Sequence, residues 1–185
     1  LPPVRVLGAS TRTFVAGVVS ASHSAAADRV SDMTAHESEA ASAAPAATAV
    51  IAVYSDEAAV RREICLALGT RVSLDGPELT VVEFATAPAL MKALDKGVNG
   101  RRIDVALLDG EATPAGGLGI ARQIKDEIFR APVTAVIVGR VQDGWLAAWS
   151  RADAVLTHPI DPRAVASAVE GLLVQRSTSA ISTIN

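Results

Sequence analysis

Aromatic residues, cysteines and net charge are all scarce in this chain. Phe, Trp and Tyr together make up 3% of 185 residues, while half of the residues are apolar. A core must therefore be built of Ala, Val, Leu and Ile, which suits helices packed closely on a sheet. The single cysteine, Cys65, excludes an internal disulfide and a cysteine-rich zinc site. It falls in a helical pattern and reads as a small core residue, not a reactive thiol. No apolar run approaches the roughly 20 residues needed to cross a bilayer. The formal net charge of −3 gives no electrostatic reason to expect nucleic acid or an acidic membrane surface as a partner. A basic stripe and a helix-turn-helix pattern are both missing, so direct transcriptional output is not expected. A chain without a membrane span is expected, with the cytoplasm as its expected compartment and any output passing through a partner.

Residues 1–47 are rich in Ala, Ser and Thr and lack sustained apolar periodicity. A disordered or low-complexity extension is expected there. Within it, the apolar stretch 14–19 follows Arg5 and Arg12, a charge order found in signal and transit peptides, but the stretch is short. Met33 is a candidate native start, with the residues before it upstream sequence. The folded part is expected over residues 48–176, and residues 177–185 are expected to form a flexible tail.

From residue 48 the pattern alternates. Residues 49–54 form an apolar strand pattern, followed by Ser55 as an expected helix N-cap and by Asp56 and Glu57 where a helix dipole favours acids. Val60, Ile64, Leu66 and Leu68 mark a helix closed by Gly69. Arg61 and Arg62 read as its solvated face. Further strands are expected at residues 79–84, 103–109, 133–138 and 154–157, and further helices at 89–94, 120–129, 145–151 and 164–175. Five strand–helix alternations with short connections imply an α/β domain with a parallel sheet and right-handed crossovers.

Residues 102–111 organise the remainder. An all-apolar strand, which reads as the buried centre of a parallel sheet, ends in Asp109 and leads into a loop with Pro114, Gly116 and Gly117. In such sheets ligands bind just past the carboxyl ends of the strands. Residues 55–57, Asp109 and residues 157–159 would meet at that edge. Neighbouring carboxylates repel unless a proton or cation intervenes, and Mg²⁺ suits such an oxygen cluster. An aspartate beside Mg²⁺ can act as a nucleophile toward phosphorus.

With these blocks in place, residues 49–175 resemble a receiver domain of two-component response regulators, the CheY-like family. The resemblance rests on the strand-one ending at residues 53–61, on residues 104–109, on Pro114 and Gly117-Leu118, and on residues 152–159. It implies a doubly wound, flavodoxin-like (βα)5 sheet of order 2-1-3-4-5. It also implies Asp109 as phosphoacceptor, with Asp56, Asp109 and the backbone carbonyl of Glu111 as Mg²⁺ ligands. The expected partners are a histidine kinase or another signalling protein, with a homodimer possible through the helix-four/strand-five/helix-five face. A cis His158–Pro159 bond would agree with the family.

The functional positions depart from the family pattern. The first acid of the strand-one pair is Ser55, a neutral and weaker ligand. The strand-four hydroxyl position holds Val138 or Gly139. The strand-five lysine is replaced by His158, and the strand-five aromatic by Val155. The loop before Pro114 is also one residue longer, which can displace the Glu111 carbonyl. Phosphoryl transfer depends mostly on positioning and charge neutralisation, and one lost electrostatic contact costs on the order of 3 kcal/mol in such sites. The chain is therefore read as an atypical receiver with weakened or absent phosphorylation, and not as an enzyme beyond any self-catalysed transfer to Asp109.

Two rival readings come from other classes. One is a working single-domain regulator that uses Mg²⁺ and a kinase. The other is a small flavodoxin-like enzyme or flavin binder, disfavoured because acids, not a Gly-rich phosphate loop, follow strand one. Structural readings of the same residues are also available. Asp109 can cap its own loop, Asp56 can be a first-turn acid, and His158 can bond a backbone carbonyl. Trp145 and Trp149 lie four apart on one helical face. Packing inward is the plain expectation for the pair, whereas an exposed Trp149 would mark a partner surface.

Overall fold

The computed structural model describes residues 48–182. The expectations for residues 1–47, including Met33 as native start, lie outside the described residues. The elements in chain order are β1 (Thr48–Tyr54), α1 (Ala58–Leu68), β2 (Glu78–Phe84), α2 (Ala87–Lys96), β3 (Val105–Asp109), α3 (Gly117–Glu127), β4 (Val133–Val138), α4 (Gly144–Ser150), β5 (Ala154–Thr157) and α5 (Pro162–Ser182). A 3₁₀ turn, Val141–Asp143, leads into α4.

The five strands form one parallel sheet of order β2-β1-β3-β4-β5. Both faces are covered. Leu90 and Leu94 of α2 and Ile120, Ala121 and Ile124 of α3 pack with Val50, Ala52, Tyr54 and Leu108 on one face. Ile64 and Leu68 of α1 and Val165, Val169 and Leu172 of α5 pack with Ile51, Val53, Leu107 and Ile137 on the other. This two-sided burial explains why β3 and β4 read as apolar runs interrupted only by Asp109 and Thr134: every residue of both is buried. Each fully buried Leu or Ile contributes about 1.5–3 kcal/mol.

Several boundaries differ from expectation, each for a local reason. Helix α1 begins at Ala58 with Glu57 in an extended conformation as its N-cap, so Ser55 is not the cap and Asp56 and Glu57 precede the first turn. The Ser55 hydroxyl is engaged elsewhere, as described below. Gly69 closes α1 as expected, with φ +58° and its N–H donating to the Cys65 carbonyl. Leu66 faces outward, and Val60, Ile64 and Leu68 carry the inner face. Helix α3 covers Gly117–Glu127, and Ile128 is already extended. Helix α5 does not stop near Gln175 but continues to Ser182, so most of the expected tail is helical. Ser177, Thr178 and Ser179 each donate a side-chain hydroxyl to the carbonyl four residues earlier, at 2.8–3.0 Å. Polar composition therefore does not break the helix there. Among the described residues no helix is long and apolar enough to cross a membrane.

Candidate functional site

The period of two along a strand aims the site. In β1, Ala49, Ile51 and Val53 face α1 and α5, and Ser55 continues their parity. In β3, Val105 and Leu107 share that face, so Asp109 projects to it as well. Leu156 sets the same face in β5, followed two residues on by His158. Three strand ends therefore bring their side chains together at one rim. Ser55 is fully buried and Asp109 only 3% exposed.

The Ser55 hydroxyl donates to Asp109 Oδ2 at 2.7 Å and accepts the Glu57 N–H at 3.1 Å. The Glu111 N–H donates to Asp109 Oδ1 at 2.9 Å. His158 Nε2 lies 3.8 Å from Asp109 Oδ1, and the His158 N–H bonds the Val138 carbonyl at 2.9 Å. The expected His158–Pro159 cis bond is present, as is a second at Thr113–Pro114. Asp109 thus does cap its own loop, while also facing Ser55 and His158.

Asp56 sits at the outer side of the rim. Its Oδ2 accepts the Thr113 hydroxyl at 2.8 Å. That hydrogen bond is the main reason its carboxyl is held below the usual carboxylate range. Tyr54 is 1% exposed and donates to the Ala115 carbonyl at 2.7 Å. Burial, then the charges of Asp56 and Asp109, push its phenol above 10.

Arg61 is not a solvated residue. Its Nη1 donates to the carbonyls of Ser55 (2.7 Å) and Asp56 (3.2 Å), and its Nε to Glu83 at 3.2 Å. Arg62 is exposed, as expected. Thr113, Tyr54 and Arg61 are the contributors that the sequence reading missed. Thr113 and Tyr54 had a signal: one is a hydroxyl in the loop after Asp109, the other the chain's one tyrosine at the end of β1.

The remaining positions are placed as follows. Val138 is buried in the cluster under α2 and α3, on the face opposite Asp109. Gly139 lies under the Glu111 carboxylate, which a Cβ there would meet at 3.1 Å. Neither supplies a hydroxyl to the rim. Val155 is 43% exposed. Trp149 is 55% and Trp145 70% exposed, so the inward-packing expectation fails for both. Helix α4 leaves its aromatic face in solvent because α3 packs against its other side. Cys65 is half-buried, and burial pushes its thiol up to about 11, consistent with a core residue.

Among the described residues, no three His, Cys, Asp or Glu side chains group as metal ligands. Mg²⁺ demands a near-octahedral shell of oxygens. Here both Asp109 oxygens and one Asp56 oxygen already accept protein hydrogens. Each of these oxygens keeps a second lone pair, but with the neutral Ser55 beside Asp109 in place of a further carboxylate the rim is a poor match to that shell.

A doubly wound sheet of order 2-1-3-4-5 with an aspartate at the carboxyl end of its central strand defines a CheY-like receiver architecture. Comparison with known proteins agrees. The chain is 49% identical over 123 residues to an uncharacterised response regulatory protein of Mycobacterium tuberculosis, found in two strains. The match covers 66% of this chain and 90% of the relative. A response regulator receiver domain from Clostridium thermocellum superposes with a TM-score of 0.57 at 20% identity, over 70% of this chain and 98% of that one. The beryllofluoride-activated receiver domain of DrrB superposes with a TM-score of 0.53 at 19% identity, over 68% and 97%. No family model matches. The chain belongs to the response-regulator receiver family of two-component signalling.

Proposed function

We propose that this receiver acts through protein–protein contact, with phosphoryl transfer to Asp109 weakened or absent. The observation that supports this reading is the set of groups around Asp109. Its buried neighbour on β1 is the neutral Ser55 hydroxyl, and its neighbour on the β5 side is His158, 3.8 Å away. Positions 138 and 139 offer no side-chain donor. Phosphoryl transfer needs charge neutralisation at the transferred group. Each missing contact costs on the order of 3 kcal/mol, so several together slow the reaction by orders of magnitude. In this reading Asp109 stays the acceptor position, and His158 occupies the place of the family's lysine.

The contact surface we assign is the face formed by α4, β5 and α5. Trp145, Trp149 and Val155 are exposed there, and tryptophan is enriched at interface hot spots. A histidine kinase, another signalling protein or a second copy of the chain would dock on Trp149. The cytoplasm is the compartment this role requires.

The test is incubation with acetyl phosphate, or with beryllofluoride, in the presence of Mg²⁺. Intact mass and tryptophan fluorescence are then read for the wild type and Asp109→Asn. The expected result is little or no response in the wild type and none in Asp109→Asn. A mass increase of one phosphoryl group on most of the protein, or a saturating fluorescence change, that Asp109→Asn abolishes would show a working regulator and overturn the proposal.

A further inference from the structure

We infer that the acidic rim is held together by neutral hydrogen-bond donors in place of a divalent cation, with Ser55 as the positioning residue. The inference rests on the reading of Asp109 as the acceptor position.

A buried carboxylate needs either a cation or hydrogen bonds that replace its lost hydration. Asp109, 3% exposed, has one donor on each oxygen: the Ser55 hydroxyl on Oδ2 and the Glu111 amide on Oδ1. The direction of the first bond follows from its surroundings. The Ser55 oxygen already accepts the Glu57 N–H, and the acceptor within reach of its proton is Asp109. Asp56 is served in the same way by the Thr113 hydroxyl.

These bonds also join two segments. Ser55→Asp109, Thr113→Asp56 and Tyr54→Ala115 all cross between the end of β1 with its loop and the end of β3 with its loop, at 2.7, 2.8 and 2.7 Å. A bridging ion between Asp56 and Asp109 would tie the same two segments. Positive charge is supplied by Arg61, whose guanidinium holds the Ser55 and Asp56 carbonyls instead of the carboxylates. The backbone of the loop is thus fixed without an ion.

Replacing the Ser55 hydroxyl with a carboxylate would set two buried negative charges within contact distance. Such a pair requires a proton or a cation between the two groups, and at about pH 8 a saturating divalent ion competes for that place. A single substitution should therefore make the rim ion-dependent.

The experiment reads thermal midpoints of wild type, Ser55→Ala, Ser55→Asp and Asp109→Asn in EDTA and in saturating MgCl₂. The wild-type midpoint should be the same in both. Ser55→Asp should melt several degrees lower in EDTA and regain most of that loss with Mg²⁺, while Ser55→Ala should melt lower in both. If Ser55→Asp fails to fold in EDTA, Mn²⁺ titration of the wild type by NMR keeps the test open, with no site-specific broadening expected at residues 55–57 and 109–111. A saturable Mg²⁺ rise in the wild-type midpoint that Asp109→Asn removes, or specific Mn²⁺ broadening at those residues, would overturn the inference. So would a Ser55→Asp variant as stable as wild type in EDTA. The two readings fail separately. Phosphate uptake with an ion-insensitive midpoint would sink weakened phosphorylation alone, and an ion-raised midpoint without phosphate uptake would sink the ion-free rim alone.

Discussion

Gly117→Ala should cost this domain far more than one methyl group suggests. Gly117 is the first residue of α3 and is buried against the end of β3. A Cβ built there lies 2.6 Å from the Asp109 carbonyl oxygen and 2.8 Å from the carbonyl carbons of Asp109 and Leu108. All three are backbone atoms of the central strand, so no side chain can swing aside. Helix α3 would have to retreat by roughly 0.8 Å to restore ordinary contact, in an interior as close-packed as a crystal. Ile120, Ala121 and Ile124 would retreat with it from the core they share with Leu90 and Leu108. A radial gap of that size forfeits a quarter to a half of each dispersion contact. Overpacking of this kind costs about 1–3 kcal/mol, and the clash with backbone puts the expectation at the upper end. Gly119→Ala is the internal control. Two residues along the same helix, its Cβ meets nothing within 4 Å, and removing glycine from an exposed helical site gains about 0.5–1 kcal/mol. In urea unfolding followed by far-ultraviolet circular dichroism, the two midpoints should move in opposite directions at unchanged m-value. A Gly117→Ala variant as stable as Gly119→Ala would refute the packing argument and with it the seat of α3 beneath Asp109.

Four further outcomes are expected. Tyr54 is the chain's one tyrosine, so absorbance titration should show a single phenol ionising above 10, the direction set by its burial and by Asp56 and Asp109. A raised folded value means its contribution to stability is complete below pH 10 and is lost as pH rises through that value. Thr113→Val should bring the Asp56 carboxyl, followed by NMR, back up toward 3.8, because the Thr113 hydroxyl is the main cause of its depression; the stability this group adds is present above pH 3.8 and fades as pH falls through the folded value. Tyr54→Phe should lower stability by about 1–2 kcal/mol in urea unfolding, through the lost bond to the Ala115 carbonyl. Trp145→Ala with Trp149→Ala should leave stability within about 0.5 kcal/mol, since both rings are exposed. The same pair should abolish any self-association or partner binding seen by sedimentation or titration calorimetry, and unchanged binding would reject the surface.

The sheet was legible because its strands are buried on both faces. Residues 105–108 and 133–138 carry apolar side chains almost without interruption, a pattern that survives without tertiary information. Helix ends were less so, since they depend on what competes for a side chain. Ser55 has the identity of an N-cap, but its hydroxyl is drawn to a carboxylate 54 residues away, and no local window contains that partner. Arg61 reads as half of a solvated pair for a related reason: two of its acceptors are nearby backbone carbonyls, which residue identity does not mark, and the third is a β2 carboxylate 22 residues on. The polar end of α5 looked like a tail because composition does not reveal hydroxyls that bond within the helix. The meeting of Ser55, Asp109 and His158 at one rim was legible through spacing and resemblance. Thr113 was not, because a loop threonine is unremarkable until the loop is folded against Asp56.

The rim and the aromatic face stand on different sides of the sheet's edge, and that separation bears on the proposed mode of action. Parity aims Ser55, Asp109 and His158 toward α1 and α5, whereas Val155 points the other way and remains exposed. The resemblance implies that a receiver links two such regions through a hydroxyl on β4 and an aromatic on β5. This chain has Val138 or Gly139 and Val155 in those places. Helix α4 is instead tied to α3 by charge. Arg122 and Arg151 both bond Asp126, at 2.9 and 2.6 Å, and Arg122 also reaches the Trp149 carbonyl at 3.2 Å. Exposed pairs of this kind contribute at most about 1 kcal/mol each. They do not depend on the protonation, phosphorylation or ion content of the rim. On the proposed reading, the tryptophans are presented whatever the state of Asp109, so Asp109→Asn should bind any Trp149-dependent partner as tightly as the wild type does. An affinity that changes tenfold or more with Asp109→Asn would mean that the two regions still communicate.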